Sequence, residues 1–288
     1  MNASSIEKAV VIGGGTMGHG IAQSLCQCGI ATTLVDLNPE VLERAQAKVR
    51  GNLEKGVARG KLTQEQLTAT LARLSVATEP VAAAEGAQVA IEAVPEKIEL
   101  KQRLLGDLGD ALGPEVLLAS NTSSLSLTKI AGAVSHPERV TGMHFFNPVH
   151  IMKLVEVVRA DQSSDEAVAT TVGLAERMGK EPITVIDRPG FASSRLGLAI
   201  GLEAIRMVAE GVASAEDIDR AMTLGYGFPM GPLRLTDLIG LDVRLAISSY
   251  LSGALGERFE PPELLRQMVS EGHLGKKSGR GFYDWSDS

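Results

Sequence analysis

Short apolar runs alternate with amphipathic segments along most of the chain. Runs of β-branched and aliphatic residues predict buried strands, whereas apolar positions spaced three and four residues apart predict helices. The predicted strands cover residues 9–12, 32–35, 74–77, 89–93, 116–119, 140–144, 154–158 and 182–186. The predicted helices include a long one from Pro39 towards Gly60, residues 96–108, and two that begin at capping patterns, Thr63 with Gln66 and Ser163 with Glu166. This alternation predicts an α/β fold with a mostly parallel, doubly wound sheet and helices on both faces.

One connection interrupts the parallel pattern. Strands 140–144 and 154–158 are separated by a short loop that contains Asn147 and Pro148. A connection this short allows only an antiparallel hairpin, because parallel strands need a longer crossover. If the hairpin is centred on His150, His144 and Glu156 lie directly opposite each other, with Cβ atoms about 5 Å apart.

The strand pattern stops near Arg188, and the rest of the chain predicts helices only. These helices cover residues 191–211, a segment that begins at a Ser214–Asp217 cap, and residues 232–251 and 261–271. We therefore divide the chain into an α/β domain, residues 1–187, and an all-helical domain, residues 188–288. The helical domain carries more apolar side chains than its own core needs, which predicts a homodimer formed through this domain.

A glycine-rich turn follows the first strand. Gly13, Gly15 and Gly18 have the spacing G-x-G-x-x-G, with Thr16 and Met17 before the last glycine. In a strand–turn–helix context, the first glycine permits the tight turn, the second lets backbone approach a pyrophosphate, and the third lets the helix pack on the strand. The second strand ends at Asp36, 21 residues beyond Gly15, where a carboxylate binds a ribose 2′-hydroxyl and repels a 2′-phosphate. These features predict a Rossmann-type NAD-binding domain; the alternative is a structural glycine turn followed by an ordinary exposed aspartate.

Composition and charge exclude several classes of function. Hydrophobic residues make up 44% and charged residues 22% of the 288 residues, as in an ordinary globular protein. The net charge of −7 offers no basic surface to nucleic acid or to an anionic membrane, and no apolar run reaches the ~18 residues of a membrane span. Cys26 and Cys28 lie two apart on a predicted helix, so they predict neither a disulfide nor a metal site. Without a signal-peptide pattern, we expect a cytoplasmic protein that binds no metal.

A histidine and a carboxylate form the strongest catalytic candidate. His144 ends one predicted strand, and Glu156 interrupts the apolar run of the next. A carboxylate beside an imidazole fixes its tautomer and stabilises the imidazolium, as a general base requires. A histidine alone is more often a core residue, but the pairing with Glu156 downstream of a cofactor motif favours catalysis.

Two further groups are candidates for binding. The segment SNTSS, residues 120–124, follows the end of a strand, where open α/β sheets place their sites. Ser123 within it lacks the surroundings of a nucleophile, so we expect a polar contact with substrate. Lys55, Arg59 and Lys61 gather at the end of the long helix. That cluster is either a solvated face or a site for a phosphorylated substrate.

Several motifs together resemble the short-chain L-3-hydroxyacyl-CoA dehydrogenases, most closely the 3-hydroxybutyryl-CoA dehydrogenases. They extend over nearly the whole chain: GGGTMGHGIA, IEAVPE, ASNTSSL, GMHFFNPVHIMKLVEVV, RPGF, FPMGPLRLTDLIGLD and GKKSGRGFYDW. The resemblance implies a two-domain dimer that reversibly oxidises an (S)-3-hydroxyacyl-CoA to the 3-oxoacyl-CoA with NAD⁺.

The resemblance also implies roles for individual residues of the catalytic site. His144 is similar to the base that takes the proton of the C3 hydroxyl group, and Glu156 to the carboxylate that orients this base. Ser123 and Asn147 are similar to the hydroxyl and amide that hold the substrate and the nicotinamide.

Further positions resemble the binding residues of the family. Those similar to its cofactor contacts are Glu96, Lys101 and Lys277, and those similar to its coenzyme A contacts are Asn52 and Arg59, beside which Lys55 is a further candidate. One position departs from the family pattern. Where the family often has PGFVVNR, this chain has PGFASSR, so Ser194 stands in place of an asparagine. The shorter side chain implies a different substrate position or chain-length preference.

Two other functions remain open from the sequence. The nearer one is a dehydrogenase of the same superfamily that acts on another hydroxy acid, such as an L-gulonate-type enzyme, and a requirement for coenzyme A would separate the two. The more distant one is a non-catalytic NAD-binding relative. An intact pair of His144 and Glu156 argues against it.

Overall fold

The computed structural model describes residues 2–286, which divide into two units, one ending at Arg188 and the other beginning at Pro189. The strands of the first unit are β1 (Lys8–Ile12), β2 (Ala31–Val35), β3 (Leu74–Ala77), β4 (Val89–Glu92), β5 (Leu117–Ser120), β6 (Val140–Phe145), β7 (Leu154–Arg159) and β8 (Glu181–Ile186). They form one sheet in the order β3-β2-β1-β4-β5-β6-β7-β8. The order of the first six strands is that of doubly wound dinucleotide-binding sheets, so the predicted fold class is confirmed.

Neighbouring strands of this sheet are parallel except for β6 and β7. The antiparallel register of that pair places His144 opposite Glu156, as the hairpin prediction requires. Strands β4, β5 and β6 are buried along their whole length, which explains why they form continuous apolar runs in the sequence. Because parallel strands end at one edge of a sheet, the glycine turn, Asp36, residues 120–124 and His144 all belong to the same edge.

Helices connect these strands. They are α1 (Gly18–Gln27), α2 (Pro39–Ala58), α3 (Gln64–Ala72), α4 (Pro80–Ala83), α5 (Ile98–Ala111), α6 (Leu127–Ala131) and α7 (Asp165–Arg177). The apolar face of α1 places Ile21 and Leu25 in a core that also contains Val11 of β1 and Ile91 of β4. The sequence did not predict α4 and α6, because helices this short are too brief to establish a period.

One of the two predicted helix caps in this unit is confirmed and the other is wrong. Thr63 and Gln66 form a capping box at the start of α3. Helix α7 is capped by Ser164, whose hydroxyl accepts the N–H of Ala167 at 3.1 Å, and not by Ser163. The Ser163 hydroxyl instead donates to the carbonyl of Val140 at the start of β6, at 2.6 Å. A long-range partner therefore decided between two adjacent serines.

The second unit is helical. Its α-helices are α8 (Ser193–Ala209), α9 (Ala215–Arg220), α10 (Pro232–Ile239), α11 (Leu241–Leu255) and α12 (Glu263–Ser270). The prediction of one helix over residues 232–251 is wrong, because Gly240 separates α10 from α11. Gly240 has φ +105°, a conformation that glycine adopts readily and other residues rarely adopt. The turn lets both helices contribute to one core, which contains Leu198, Leu233 and Leu251.

A helix that spans a bilayer must be both long and predominantly apolar. Among residues 2–286, no single helix is long and apolar enough to span a membrane. The pair α10 and α11 reaches that length only when its two members are taken together, and it is bent by 99° between them.

Candidate active site

The three motif glycines have different surroundings. Gly13 has φ +107°, and a Cβ at this position would lie 2.5 Å from the carbonyl oxygen of Ala93. A Cβ at Gly18 would lie 1.7 Å from the carbonyl oxygen of Gly13. A Cβ at Gly15 would meet no atom within 4 Å. Gly13 and Gly18 are therefore required by packing, whereas the backbone at Gly15 is open to a ligand, which fits a pyrophosphate.

The turn leads directly into the N-terminus of α1. Thr16 is exposed, and Met17 is the last residue before the helix and packs against the apolar core. The first N–H groups of a helix have no partner within it and point towards the preceding turn. They fit a bound phosphate through hydrogen bonds and through the helix dipole.

Asp36 follows β2 at the same edge of the sheet. Its Oδ2 accepts the N–H of Gly14 at 2.9 Å, and its Oδ1 accepts the N–H of Asn38 at 3.0 Å. A carboxylate has about four acceptor positions, so this group is held in place with acceptor capacity remaining for ribose hydroxyls. The glycine turn and Asp36 therefore fit the adenosine half of NAD, and the negative charge disfavours an additional 2′-phosphate.

His144 and Glu156 are in direct contact across the β6–β7 hairpin. Nδ1 of His144 lies 2.7 Å from Oε2 of Glu156, and the two residues are 5% and 0% exposed. The ring of Phe146 lies 4.7 Å from the imidazole, between ring centroids. A carboxylate on Nδ1 holds the ring in one orientation. Proton exchange with a bound molecule would then use Nε2.

Hydrogen bonds connect the loop after β5 to the end of β6 and to Glu96. Oδ1 of Asn121 accepts the N–H of Phe145 at 2.9 Å, which ties the loop to the end of β6 beside His144. Oε1 of Glu96 accepts the Thr122 hydroxyl at 2.6 Å and the N–H of Ser123 at 2.8 Å. These bonds give the loop a defined conformation next to the imidazole.

Two predicted substrate contacts have side chains available for binding. Ser123 is half-buried and Asn147 is exposed. Within residues 2–286, neither side chain makes a hydrogen bond to another protein group. A hydroxyl and an amide that have no protein partner can donate to or accept from a ligand.

Lys101 lies in different surroundings from those expected of an exposed cofactor contact. Its Nζ donates to Oε1 of Glu92 at 2.6 Å and to the carbonyl oxygen of Val94 at 3.2 Å, and it lies 3.3 Å from Oε2 of Glu96. The side chain is buried. An ammonium group has three protons, so these three acceptors occupy it. Its direct effect is on the position of Glu96, which remains a predicted cofactor contact.

Glu92 is a residue of this site that the sequence analysis missed. Its second oxygen accepts the hydroxyl of Ser120 at 2.6 Å, so the carboxylate links β4, β5 and α5. Burial raises the pKa of Glu92, with Lys101 and Ser120 acting in the opposite direction. A charged residue inside the predicted strand 89–93 was the available signal, because a carboxylate there needs a buried partner.

The pKa of Glu96 is shifted in the opposite direction from that of Glu92. Burial alone would raise its pKa, but Lys101, the Thr122 hydroxyl and the backbone N–H groups of the following serines together lower the pKa below its usual value. The carboxylate is therefore ionised at neutral pH.

A cleft of about 620 Å³ lies beside the end of α2. It is lined in part by polar and basic side chains, namely Gln23, Gln27, Asn52, Lys55, Arg59, Lys61 and His150. The amide of Asn52 donates to Oε1 of Gln23 at 3.1 Å. Burial lowers the pKa of His150, and nearby cations, Lys55 among them, add to this effect. The cleft is therefore electropositive, although the chain as a whole is acidic, and the cation cluster predicted from the sequence lines it.

Two predicted contacts belong to the unit that begins at Pro189. Nζ of Lys277 is 2.6 Å from Oδ2 of Asp242, so this lysine is ion-paired at the start of α11. Ser194 lies in the first turn of α8 and is half-buried. Its hydroxyl makes no hydrogen bond within residues 2–286 and is available to a ligand.

Comparison with known proteins places this geometry in a family. A family model described as "3-hydroxyacyl-CoA dehydrogenase, NAD binding domain" matches residues 8–188, and one described as "3-hydroxyacyl-CoA dehydrogenase, C-terminal domain" matches residues 190–285. A Bacillus subtilis protein named "Probable 3-hydroxybutyryl-CoA dehydrogenase" is 44% identical over 283 residues, which are 98% of each chain. The Escherichia coli "3-hydroxyadipyl-CoA dehydrogenase" is 43% identical over 98% of this chain, which spans 59% of that relative.

A solved structure agrees with these matches. The crystal structure of (S)-3-hydroxybutyryl-CoA dehydrogenase from Ralstonia eutropha has a TM-score of 0.94 and 39% identity, covering 98% of this chain and 100% of the relative. The two family models together span nearly the whole chain, and the first one is an NAD-binding domain. This chain is therefore an NAD-dependent enzyme that belongs to the 3-hydroxyacyl-CoA dehydrogenase family.

Proposed function

We propose that this enzyme oxidises an (S)-3-hydroxyacyl-CoA to the corresponding 3-oxoacyl-CoA, reversibly, with short-chain substrates such as 3-hydroxybutyryl-CoA. The observation that carries the proposal is the buried contact of 2.7 Å between Nδ1 of His144 and Oε2 of Glu156. It lies at the edge of the sheet where the cofactor turn also lies. The names of the relatives from Bacillus subtilis and Ralstonia eutropha support the same substrate class.

His144 acts as the general base in this proposal. When the alcohol becomes a carbonyl, the hydroxyl proton needs an acceptor, and a neutral imidazole accepts it near neutral pH. Glu156 holds the ring and balances the positive charge that develops on it. Ser123 and Asn147 bind the substrate oxygen and the nicotinamide side of the site. NAD⁺, when bound, would accept the hydride that leaves C3.

In this proposal, separate groups of residues bind the adenosine half and the nicotinamide half of the cofactor. The open backbone at Gly15 and the N–H groups around Thr16 and Met17 bind the pyrophosphate, and Asp36 binds the adenosine ribose. Glu96 is proposed to contact the nicotinamide end, with Lys101 fixing its position through the buried contact with Glu92. Lys277 is a further proposed cofactor contact.

The electropositive cleft is the proposed site for coenzyme A. The phosphates of coenzyme A form a polyanion, which an acidic protein binds through a local group of cations. Lys55 and Arg59 supply that charge, and Asn52 supplies an amide within the same cleft. Ser194 is proposed to contact the acyl portion.

The assembly and the compartment are proposals as well. We propose a cytoplasmic homodimer formed through the helical unit, because that unit exposes large apolar side chains. Those on α8, α10 and α11 are Leu196, Ile200, Leu235, Leu238, Ile239, Val243 and Tyr250. Light scattering at micromolar concentration should give the mass of two chains, and a monomer would contradict this proposal.

A spectrophotometric assay tests the reaction. Purified enzyme is mixed with acetoacetyl-CoA and NADH, and the oxidation of NADH is followed. We expect turnover with acetoacetyl-CoA and none with free acetoacetate, since coenzyme A contributes the binding. The absence of turnover with acetoacetyl-CoA, or turnover of L-gulonate with NAD⁺ instead, would overturn the proposed function.

A further inference from the structure

Arg244 is a buried arginine without a partner. It lies on α11 at a core-facing position, in the stripe that also contains Leu241, Ser248 and Leu251. The residue is 5% exposed. Within residues 2–286, its guanidinium forms no hydrogen bond and no ion pair, and its Nε is fully buried.

A lone guanidinium in this position is energetically unfavourable. Removing a cation from water is costly unless an anion or several acceptors replace the water. Burial lowers the pKa of Arg244 to about 10, so the group is still charged at neutral pH. A buried arginine that is charged and unpaired in the free protein indicates that its anion is supplied by something else.

The space around this guanidinium is lined by glycine. A Cβ at Gly197 would lie 3.8 Å from Nη1 of Arg244, and a Cβ at Gly201 would lie 3.9 Å from its Cζ. The hydroxyl of Thr236 would lie 3.2 Å from the same Cβ at Gly201, and it too is buried without a hydrogen-bond partner. Two polar groups without partners therefore converge on one face of α8, where side chains are absent.

This face of α8 also carries Ser194. Gly197 and Gly201 follow Ser194 by three and seven residues, so all three lie on one side of the helix. At 1.5 Å per residue, the two glycines are about 4.5 and 10.5 Å further along the axis. The helix is half-buried at Ser194 and Gly197 and buried at Gly201. The stripe is thus accessible at Ser194 and closed beyond Arg244.

We propose that Arg244 binds the terminal carboxylate of an acyl chain, so that the enzyme acts on 3-hydroxyacyl-CoA substrates that carry a second carboxylate. The inference rests on the proposed function, in which Ser194 contacts the acyl portion. A short chain of methylene groups that starts near Ser194 and follows the glycines brings its far end to Arg244. A carboxylate matches the planar guanidinium with two hydrogen bonds, and the Thr236 hydroxyl can donate a third.

A ligand explains these features better than a second copy of the chain does. The most exposed large apolar residue of α8 is Leu196, at 64%, and Ile200 lies one turn further along. Leu196 lies well away from Ser194 and the two glycines around the helix, whereas Ile200 follows Gly197 by three residues and lies beside it. The surface suited to a second copy is therefore centred on Leu196, away from the face that Arg244 occupies, and borders that face at Gly197.

The test compares two six-carbon substrates that differ only at the far end. Reduction of 3-oxoadipyl-CoA and of 3-oxohexanoyl-CoA is measured with NADH, together with acetoacetyl-CoA as the reference. We expect kcat/KM to be about 10- to 100-fold higher for 3-oxoadipyl-CoA than for 3-oxohexanoyl-CoA, the range for a hydrogen bond between charged groups. Equal values for the two six-carbon substrates would overturn the inference and leave the proposed function intact. No reduction of acetoacetyl-CoA would overturn the proposed function itself.

Variants at Arg244 identify the group responsible. In Arg244→Met the preference for 3-oxoadipyl-CoA should disappear, and Arg244→Lys should keep part of it. Arg206→Met is the matched control, since Arg206 lies on α8 and bonds to Glu203 and to the backbone of Glu260; it should keep the wild-type preference. Removing an unpaired buried charge should also leave the unfolding temperature of Arg244→Met unchanged or higher. A lower unfolding temperature together with dissociation of the dimer would show that the anion belongs to a second copy, and would overturn the inference.

Discussion

Nζ of Lys101 lies 2.6 Å from Oε1 of Glu92, and the two side chains are 1% and 0% exposed. This ion pair joins the start of α5 to the end of β4. Through the Ser120 hydroxyl on the other oxygen of Glu92, it also joins the end of β5, from which the loop with Ser123 begins. The pair therefore holds together the strand ends and the helix start from which Glu96 and the loop with Ser123 extend.

Loss of Lys101 should destabilise the fold strongly. In Lys101→Met the carboxylate of Glu92 remains buried without its cation, and breaking a buried pair in this way costs about 3–5 kcal/mol. We expect the free energy of unfolding, measured with urea, to fall by that amount. The double variant Glu92→Gln/Lys101→Met should recover part of the loss, because no buried charge is left.

An exposed ion pair supplies the control for this prediction. Lys153 and Glu181 are in contact at 3.1 Å with both side chains about three-quarters exposed. Lys153→Met should cost at most about 1 kcal/mol. If Lys101→Met and Lys153→Met lower the free energy of unfolding by similar amounts, burial of the Glu92–Lys101 pair does not increase the cost of breaking it.

The low pKa of Glu96 predicts how its contribution depends on pH. A carboxylate whose folded-state pKa is below its unfolded value stabilises the fold above the unfolded pKa and loses this effect as the pH falls through the folded pKa. The difference in unfolding free energy between the wild type and Glu96→Gln should therefore be constant from pH 6 to 8 and shrink below about pH 4.3. Urea titrations over this range measure it. Glu54→Gln, at an exposed position of α2, should vary less, and a difference that grows towards low pH would contradict the prediction.

His144 and Glu156 should behave as one catalytic unit. We expect His144→Gln to lower kcat by about 10²–10⁴, the usual contribution of a general base, while NADH still binds. Glu156→Gln should lower kcat as well, and the double variant should be little worse than His144→Gln alone. The exposed His136 is the control, and His136→Gln should retain wild-type kcat. Additive losses in the double variant would place the base elsewhere.

Asp36 should determine the choice of cofactor. Asp36→Ser should weaken NADH binding by about 1–3 kcal/mol, because a charge-assisted hydrogen bond to the ribose is lost, and it should reduce the discrimination against NADPH. Asp36→Asn, which keeps an acceptor for the N–H of Gly14, separates the charge from the structural role. Fluorescence titration measures both dissociation constants. Glu40→Gln, in the exposed first turn of α2, is the control, and a wild type that prefers NADPH would refute the assignment.

Arg59 should contribute to coenzyme A binding through its charge. Arg59→Glu should raise the KM for acetoacetyl-CoA well before it affects the KM for NADH, and the effect should shrink as salt increases. Arg103→Glu, at an exposed position of α5, should leave both values near those of the wild type. Equal changes in both KM values of Arg59→Glu would indicate a general loss of stability instead.

Local sequence signals were enough to locate the strands of the sheet. Every predicted strand boundary lies within one residue of the observed one. Apolar runs, glycine turns and capping boxes act over a few residues, so the chain itself carries this information. The same is true of the contact between His144 and Glu156, since the short loop determined the register of the hairpin.

Contacts between distant segments decided the remainder. The sequence placed Glu92 in a strand, Lys101 in a helix and Arg244 in another helix. It could not show that the first two pair inside the protein or that the third is buried against two glycines. Ser163 does not cap α7 because its hydroxyl bonds to the carbonyl of Val140 in β6. A positive φ at Gly240 divides a continuous apolar segment into two helices. Such outcomes depend on which side chains packing brings together, because the free energy of a buried charge or hydroxyl is set by its neighbours in space and not by its neighbours along the chain.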